Sequence, residues 1–165
     1  FSIEKIPNYS NAAATVALIM VMERNNTQGA FNTQTRPSNR EKLEWYLANE
    51  DVADFVLLGM KWYDASGRLL TPSKFAAYGY MMASVDYTKA MSFMEKLAFG
   101  FDLPMASPVF KLRAKLAQSR IDKTKRMPES YERALIIKAW NLFRAGKTVK
   151  ILKYDTEREP FPVFE

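Results

Sequence analysis

Residues 71–100 read TPSKFAAYGYMMASVDYTKAMSFMEKLAFG, and this stretch decides the fold class. Thr71 followed by Pro72 marks a helix start, because a threonine hydroxyl can accept an orphan backbone N–H and a proline in the first turn sacrifices no hydrogen bond. Phe75, Tyr78, Met81 and Met82 then recur at helical spacing, which predicts a helix ending near Ser84. Asp86 caps the next helix, with Met91, Phe93, Met94, Leu97 and Ala98 inward and Gly100 as its stop.

The same punctuation continues in both directions. Toward the C-terminus, Ser107-Pro108 starts a helix carrying Val109, Leu112 and Leu116 to about Ser119. Pro128-Glu129 opens a longer one, whose stripe of Tyr131, Leu135, Ala139, Leu142 and Phe143 runs until Gly146. Toward the N-terminus, Asp51 to Ala65 carries Val52, Phe55, Val56, Leu58, Met60 and Trp62, with Ser66-Gly67 as the stop. Pro37-Ser38 with Glu41 forms a capping box ahead of Leu43, Tyr46 and Leu47, a helix to about Glu50. Ser10-Asn11 can cap a helix to about Arg24, and its run from Val16 to Met22 leaves almost no polar face, so it belongs in the core.

Two segments lack helical periodicity. From 25 to about 37 the chain turns to Asn, Thr, Gln and Gly, which predicts a mobile loop. Thr148 to Tyr154 sets Val149, Ile151 and Tyr154 against Lys150 and Lys153, which predicts a short strand or an extended tail within 147–165. The expected fold is therefore all-α: a compact bundle of about seven helices with a short extended or strand-like C-terminal segment.

With 165 residues, 48% of them hydrophobic, the chain can bury one sizeable core, so a single helical domain over 1–165 is expected. No apolar run approaches the roughly 18 residues of a membrane span, and no membrane partner is expected. The opening Phe1-Ser2-Ile3-Glu4-Lys5 has neither an initiator Met nor the layout of a secretion signal, which predicts a fragment of a longer protein.

The absence of cysteine excludes disulfides, thiolate metal sites and thiol nucleophiles. The absence of histidine removes the usual general base and the commonest metal ligand, and with them Ser-His triads and zinc hydrolase sites. Carboxylate chemistry with magnesium survives that exclusion, but the acids are scattered, and no catalytic residue, metal site or cofactor is expected. Ser38 and Ser107 each adjoin a proline and read as caps in preference to nucleophiles. Glu129 and Glu132, one turn apart, could hold a cation or simply favour the positive end of their helix; the second is preferred.

The positive charge is regional. Residues 1–110 hold 10 basic and 11 acidic side chains, whereas residues 111–153 hold 13 basic and 3 acidic. Lys111, Arg113, Lys115, Arg120, Lys123, Lys125 and Arg126 crowd one helix and the loop after it. Such like charges repel one another, and a polyanion relieves the repulsion with release of its counterions. Arg113, Lys115, Arg120, Lys123, Lys125 and Arg126 are therefore the first candidates for nucleic-acid contacts, and Lys138, Arg144, Lys147 and Lys150 could extend the surface. The competing interpretation is a solvated helix face, though a basic loop at 120–126 gains nothing from the helix dipole. Phe110, Tyr131, Trp140 and Phe143 could stack on unpaired bases, but their helical spacing favours the core. Met81, Met82, Met91 and Met94 could make an adaptable interaction surface, and here too core filling is preferred.

Three motifs carry a family resemblance: Leu97-Ala98-Phe99-Gly100 with Leu103-Pro104 and Ser107 to Arg113; Ile136 to Lys147; and Glu159-Pro160-Phe161-Pro162. Over about residues 90–162 the chain resembles the C-terminal helical half of phage- and mobile-element-encoded proteins whose N-terminal half is a ParB-like (ParB/sulfiredoxin-type) nuclease domain. The family's Gly-Gln-His-Arg type signature belongs to that N-terminal domain and is absent here, as there is no histidine. The resemblance implies a non-catalytic accessory domain of a DNA-acting phage protein, in the cytoplasm of an infected bacterial host, with DNA, the ParB-like domain or other protomers of a homo-oligomer as partners. The alternative is a protein–protein interaction or oligomerisation module of a phage protein.

Overall fold

A computed structural model describes residues 5–24 and 36–165. Seven α-helices follow one another: α1 Tyr9–Arg24, α2 Asn39–Ala48, α3 Val52–Ala65, α4 Pro72–Val85, α5 Tyr87–Phe99, α6 Pro108–Ile121 and α7 Glu129–Arg144. A single 3-10 turn at Lys123–Lys125 lies between α6 and α7. No strand occurs among the described residues. Nearly all of the loop expected over 25–37 lies outside those residues.

Side-chain caps fix the starts of α2, α4, α5 and α6. Ser38 accepts the N–H of Glu41 at 3.2 Å while the Glu41 carboxylate accepts the N–H of Ser38 at 2.7 Å, so two orphan donors are satisfied reciprocally. Thr71 accepts from Lys74, Asp86 from Lys89 and Ser107 from Val109. Gly100 closes α5 in the left-handed conformation, φ 72°, which a glycine adopts without penalty. One start differs from the sequence expectation: α1 begins at Tyr9, ahead of Ser10-Asn11. Asn8, itself at φ 54°, accepts the N–H of Ala12, and that bond sets the first turn further upstream.

Helix α4 lies at the centre, packed on α1, α3 and α5, while α6 packs on α7 and α5. Two glycines let α3 and α4 approach closely. A methyl group on Gly59 would meet Ala76 Cβ at 2.9 Å and the Pro72 carbonyl oxygen closer still, and one on Gly79 would meet the Trp62 ring at 3.0 Å. The core holds Trp62, Phe75, Tyr78, Phe93 and Trp140, with Phe93 edge-on to Trp140 at 5.8 Å. Met82 and Met94 are fully buried and Met81 and Met91 pack against the core, so these methionines fill volume. The indole N–H groups of Trp62 and Trp140 have no hydrogen-bond partner among the described residues, a cost that the burial of two large rings must outweigh.

Of the two expectations for Thr148 to Tyr154, a short strand or an extended tail, the strand does not form and no regular extended segment is seen. That segment runs irregularly, tied to the α5–α6 loop by one bond from Val149 N–H to the Ala106 carbonyl. Its inward residue is Leu152, 1% exposed, whereas Ile151 is 65% exposed, so the alternation breaks where the chain turns to follow α7. Lys138 on α7 then grips the tail, donating to the Lys153 carbonyl at 2.6 Å and to both Glu159 carboxylate oxygens at 2.9 Å. Asn141 adds bonds to the Val163 carbonyl and the Glu165 N–H. No helix among the described residues is long and apolar enough to cross a membrane.

Candidate nucleic-acid interface

The fold divides the basic residues into two groups. Arg133, counted in the basic third, is fully buried, and its Nε donates to the Tyr78 hydroxyl at 3.3 Å. Burial pushes the Tyr78 phenol up to about 12, so the hydroxyl stays neutral and able to accept. Arg113 is half-buried: its Nε donates to the Leu97 carbonyl at 2.8 Å, and its guanidinium lies over Gly100, where it satisfies the C-terminal end of α5. Lys138 is held by Glu159, and Arg144 pairs with Asp86 at 3.5 Å. All four cations are engaged by groups of the protein itself, Arg144 at its surface.

Arg120, Lys123, Lys125 and Arg126 are exposed and form no ion pair among the described residues. They stand where α6 ends and the 3-10 turn begins. Asp122, the acid inside this basic run, pairs with none of them; its Oδ1 accepts the Thr124 N–H at 2.9 Å and the Thr124 hydroxyl at 2.6 Å. Those bonds, with a smaller contribution from Lys125, hold its carboxyl below the usual range. An ionised Asp122 thus orders the turn that presents Lys123 and Lys125. Ser119 closes the connection by accepting the Met127 N–H at 3.1 Å.

Arg120, Lys123 and Arg126 line a cleft of about 600 Å³ between the starts of α4 and α7 and the end of α6. Lys74, Glu129 and Glu132 occupy its other side. Lys74 lies 2.9 Å from Glu132 and 4.0 Å from Glu129, so one ammonium group engages both carboxylates. The N-terminal ends of α4 and α7 border the same cleft and add positive partial charge. Lys74 engages both acids, while Arg120, Lys123 and Arg126 form no ion pair among the described residues. No group of three possible metal ligands converges among the described residues.

A second, more apolar groove of about 460 Å³ shares Arg120 and Leu69 with that cleft, and Phe110, Arg113, Ala117 and Ile121 line it as well. Lys111, Lys115 and Lys150 gather separately around a shallow hollow of about 230 Å³ beside Leu152. Lys147 is exposed just past the end of α7. The sequence candidates therefore separate: Arg120, Lys123 and Arg126 converge, with Lys125 on the same turn, Lys115 and Lys150 meet elsewhere, and Arg113, Lys138 and Arg144 are engaged in the fold.

Of the aromatic candidates, Trp140 is buried and Phe143 packs on Phe93 at 5.4 Å, so neither is available to a base. The sequence reading missed Phe101 and Met105, which are 73% and 72% exposed in the loop after α5. Both fall outside any helical stripe, and that was the available signal. No protein-family model, curated protein or solved structure significantly matches this chain.

Proposed function

We propose that this chain is a non-catalytic nucleic-acid-binding domain that grips the sugar-phosphate backbone through the turn between α6 and α7. The observation that carries it is the convergence of Arg120, Lys123 and Arg126 on one cleft edge without a partner acid, beside two helix N-termini. Phosphate contacts of this kind position a polyanion without reading its sequence. Lys125 adds to the same edge, and Lys115, Lys147 and Lys150 extend the positive surface at longer range. The resemblance to helical halves of ParB-like phage proteins supplies the class of partner, DNA, and the role, an accessory domain beside a separate ParB-like domain. Fluorescence anisotropy with labelled DNA at low salt tests the proposal: binding that weakens steeply with added salt is expected, and no binding at low salt would sink it.

A second reading, an interaction or oligomerisation module, is favoured by one observation, the exposed Phe101 and Met105. It requires self-association or a protein ligand at that loop. Light scattering that reports a monomer at all concentrations would remove the self-association form.

A further inference from the structure

We infer that the strand bound by this domain is single-stranded, with an unpaired base lying on Phe101 and the neighbouring phosphates running past Arg120 into the basic cleft; this rests on the nucleic-acid assignment above.

Phe101 follows the glycine that closes α5. A hydrophobic residue at that point commonly folds back onto its own helix and is covered. Phe101 instead lies parallel to Phe99, ring centroids 6.3 Å apart and planes 11° from coplanar, and stays 73% exposed. Lys61 sits over the Phe99 ring at 5.9 Å and pairs with Glu95 at 3.9 Å, so its charge is engaged within the protein. An uncovered aromatic ring offers a face on which a base stacks, and the phosphates then need cations farther along the strand.

The loop that carries the ring touches a residue of the neighbouring groove. Gly100, between the two phenylalanines, lies against the Arg113 guanidinium so closely that a methyl group there would collide with it. Arg113 lines the apolar groove, and the groove shares Arg120 with the basic cleft. The path inferred for a strand therefore starts at the Phe101 ring, passes Gly100 and Arg113 to the apolar groove, and reaches cations that form no ion pair among the described residues. A duplex would gain only the last part of that path, because its base faces are hidden in the stack. A protein partner would suit the apolar loop but leave the adjoining cations unexplained, so the charge favours the nucleic acid.

The test uses the whole chain with a labelled oligo-dT strand and, separately, a duplex of similar length, by anisotropy at low salt. Phe101→Ala should weaken the single strand roughly tenfold, the order expected for one lost stacking contact, and leave the duplex unchanged. Phe101→Trp should retain single-strand binding, and its indole fluorescence should be quenched by the oligonucleotide, a readout that a merely structural role would not move. Circular dichroism checks that both variants fold. If the two DNA forms bind equally and Phe101→Ala alters neither, or weakens both alike, the single-strand assignment falls while the nucleic-acid assignment stands. If neither form binds the unmodified chain, both fall. Loss of self-association on Phe101→Ala with DNA binding unaffected would also overturn the inference and return the loop to a protein partner.

Discussion

Gly59→Ala sets two effects of known size against each other. Alanine is the better helix former, and in the interior of an exposed helix the change would stabilise by about 1 kcal/mol. Gly59, however, is buried where α3 crosses α4, and a β-carbon there would meet Ala76 Cβ at 2.9 Å, Ala76 N at 3.0 Å and the Pro72 carbonyl oxygen closer still. Ordinary contact begins near 3.4 Å. None of the three atoms belongs to a side chain that can rotate away, so the two helices must part. Overpacking of a close-packed core costs roughly 1–3 kcal/mol, and because α4 cannot shift without disturbing α1 and α5 the upper part of that range, about 2–3 kcal/mol, applies here. The packing penalty should win, leaving a net loss of about 1–2 kcal/mol. For a chain of this length that lowers Tm by about 2–8 °C. Urea unfolding followed by circular dichroism measures it, and a double-mutant cycle with Ala76→Gly should show a favourable coupling of at least about 0.5 kcal/mol, because it removes one of the three contacts. A Gly59→Ala variant as stable as the parent, or more so, would refute the close-approach reasoning.

Three further outcomes are expected. Tyr78→Phe removes the hydroxyl that accepts from the buried Arg133 Nε and should cost about 1–3 kcal/mol in urea unfolding; an unchanged midpoint would show that this bond contributes nothing. Because Lys138 and the Asp155 N–H hold the Glu159 carboxyl below its ordinary range, the contact stabilises above the unfolded-state pKa and is lost as pH falls through the lowered folded value. Hydrogen exchange in residues 147–165 should therefore accelerate in acid, and in Glu159→Gln it should be faster at neutral pH and less dependent on acid; identical profiles for the two proteins would contradict this. Asp122→Ala should loosen the turn that carries Lys123 and Lys125 and weaken DNA binding while the melting temperature changes little, whereas a variant with unaltered affinity would show that the turn needs no ordering.

The helices were legible because their signals are local. Thr71-Pro72, Asp86, Ser107-Pro108 and Gly100 each act within one turn, and each terminus lies where its cap predicts to within a residue or two. The tail was less legible, since the inward turn of Leu152 in place of Ile151 depends on tertiary packing, beside α6, that local alternation does not encode. The site was legible only in part. Charge counting located the basic third, but the employment of each cation depends on partners remote in sequence. Arg144 meets Asp86 58 residues away, Arg133 meets Tyr78 55 away, and Lys138 meets Glu159 21 away. Arg113 caps a helix that ends before its own begins. Where no such partner occurs among the described residues, as at Arg120, Lys123, Lys125 and Arg126, local charge density translates directly into a surface.

Salt-dependent binding of the Arg120→Ala/Lys123→Ala/Arg126→Ala variant is the most direct measurement of that surface. For the unmodified protein the logarithm of affinity should fall linearly with the logarithm of salt between about 50 and 200 mM, with a slope set by the number of phosphates neutralised. Loss of three contacts should flatten the slope by about two to three and weaken binding most at low salt, with the helical content unchanged. A variant that binds DNA with the parent's slope and affinity would place the contacts elsewhere and contradict the assignment of the α6–α7 turn.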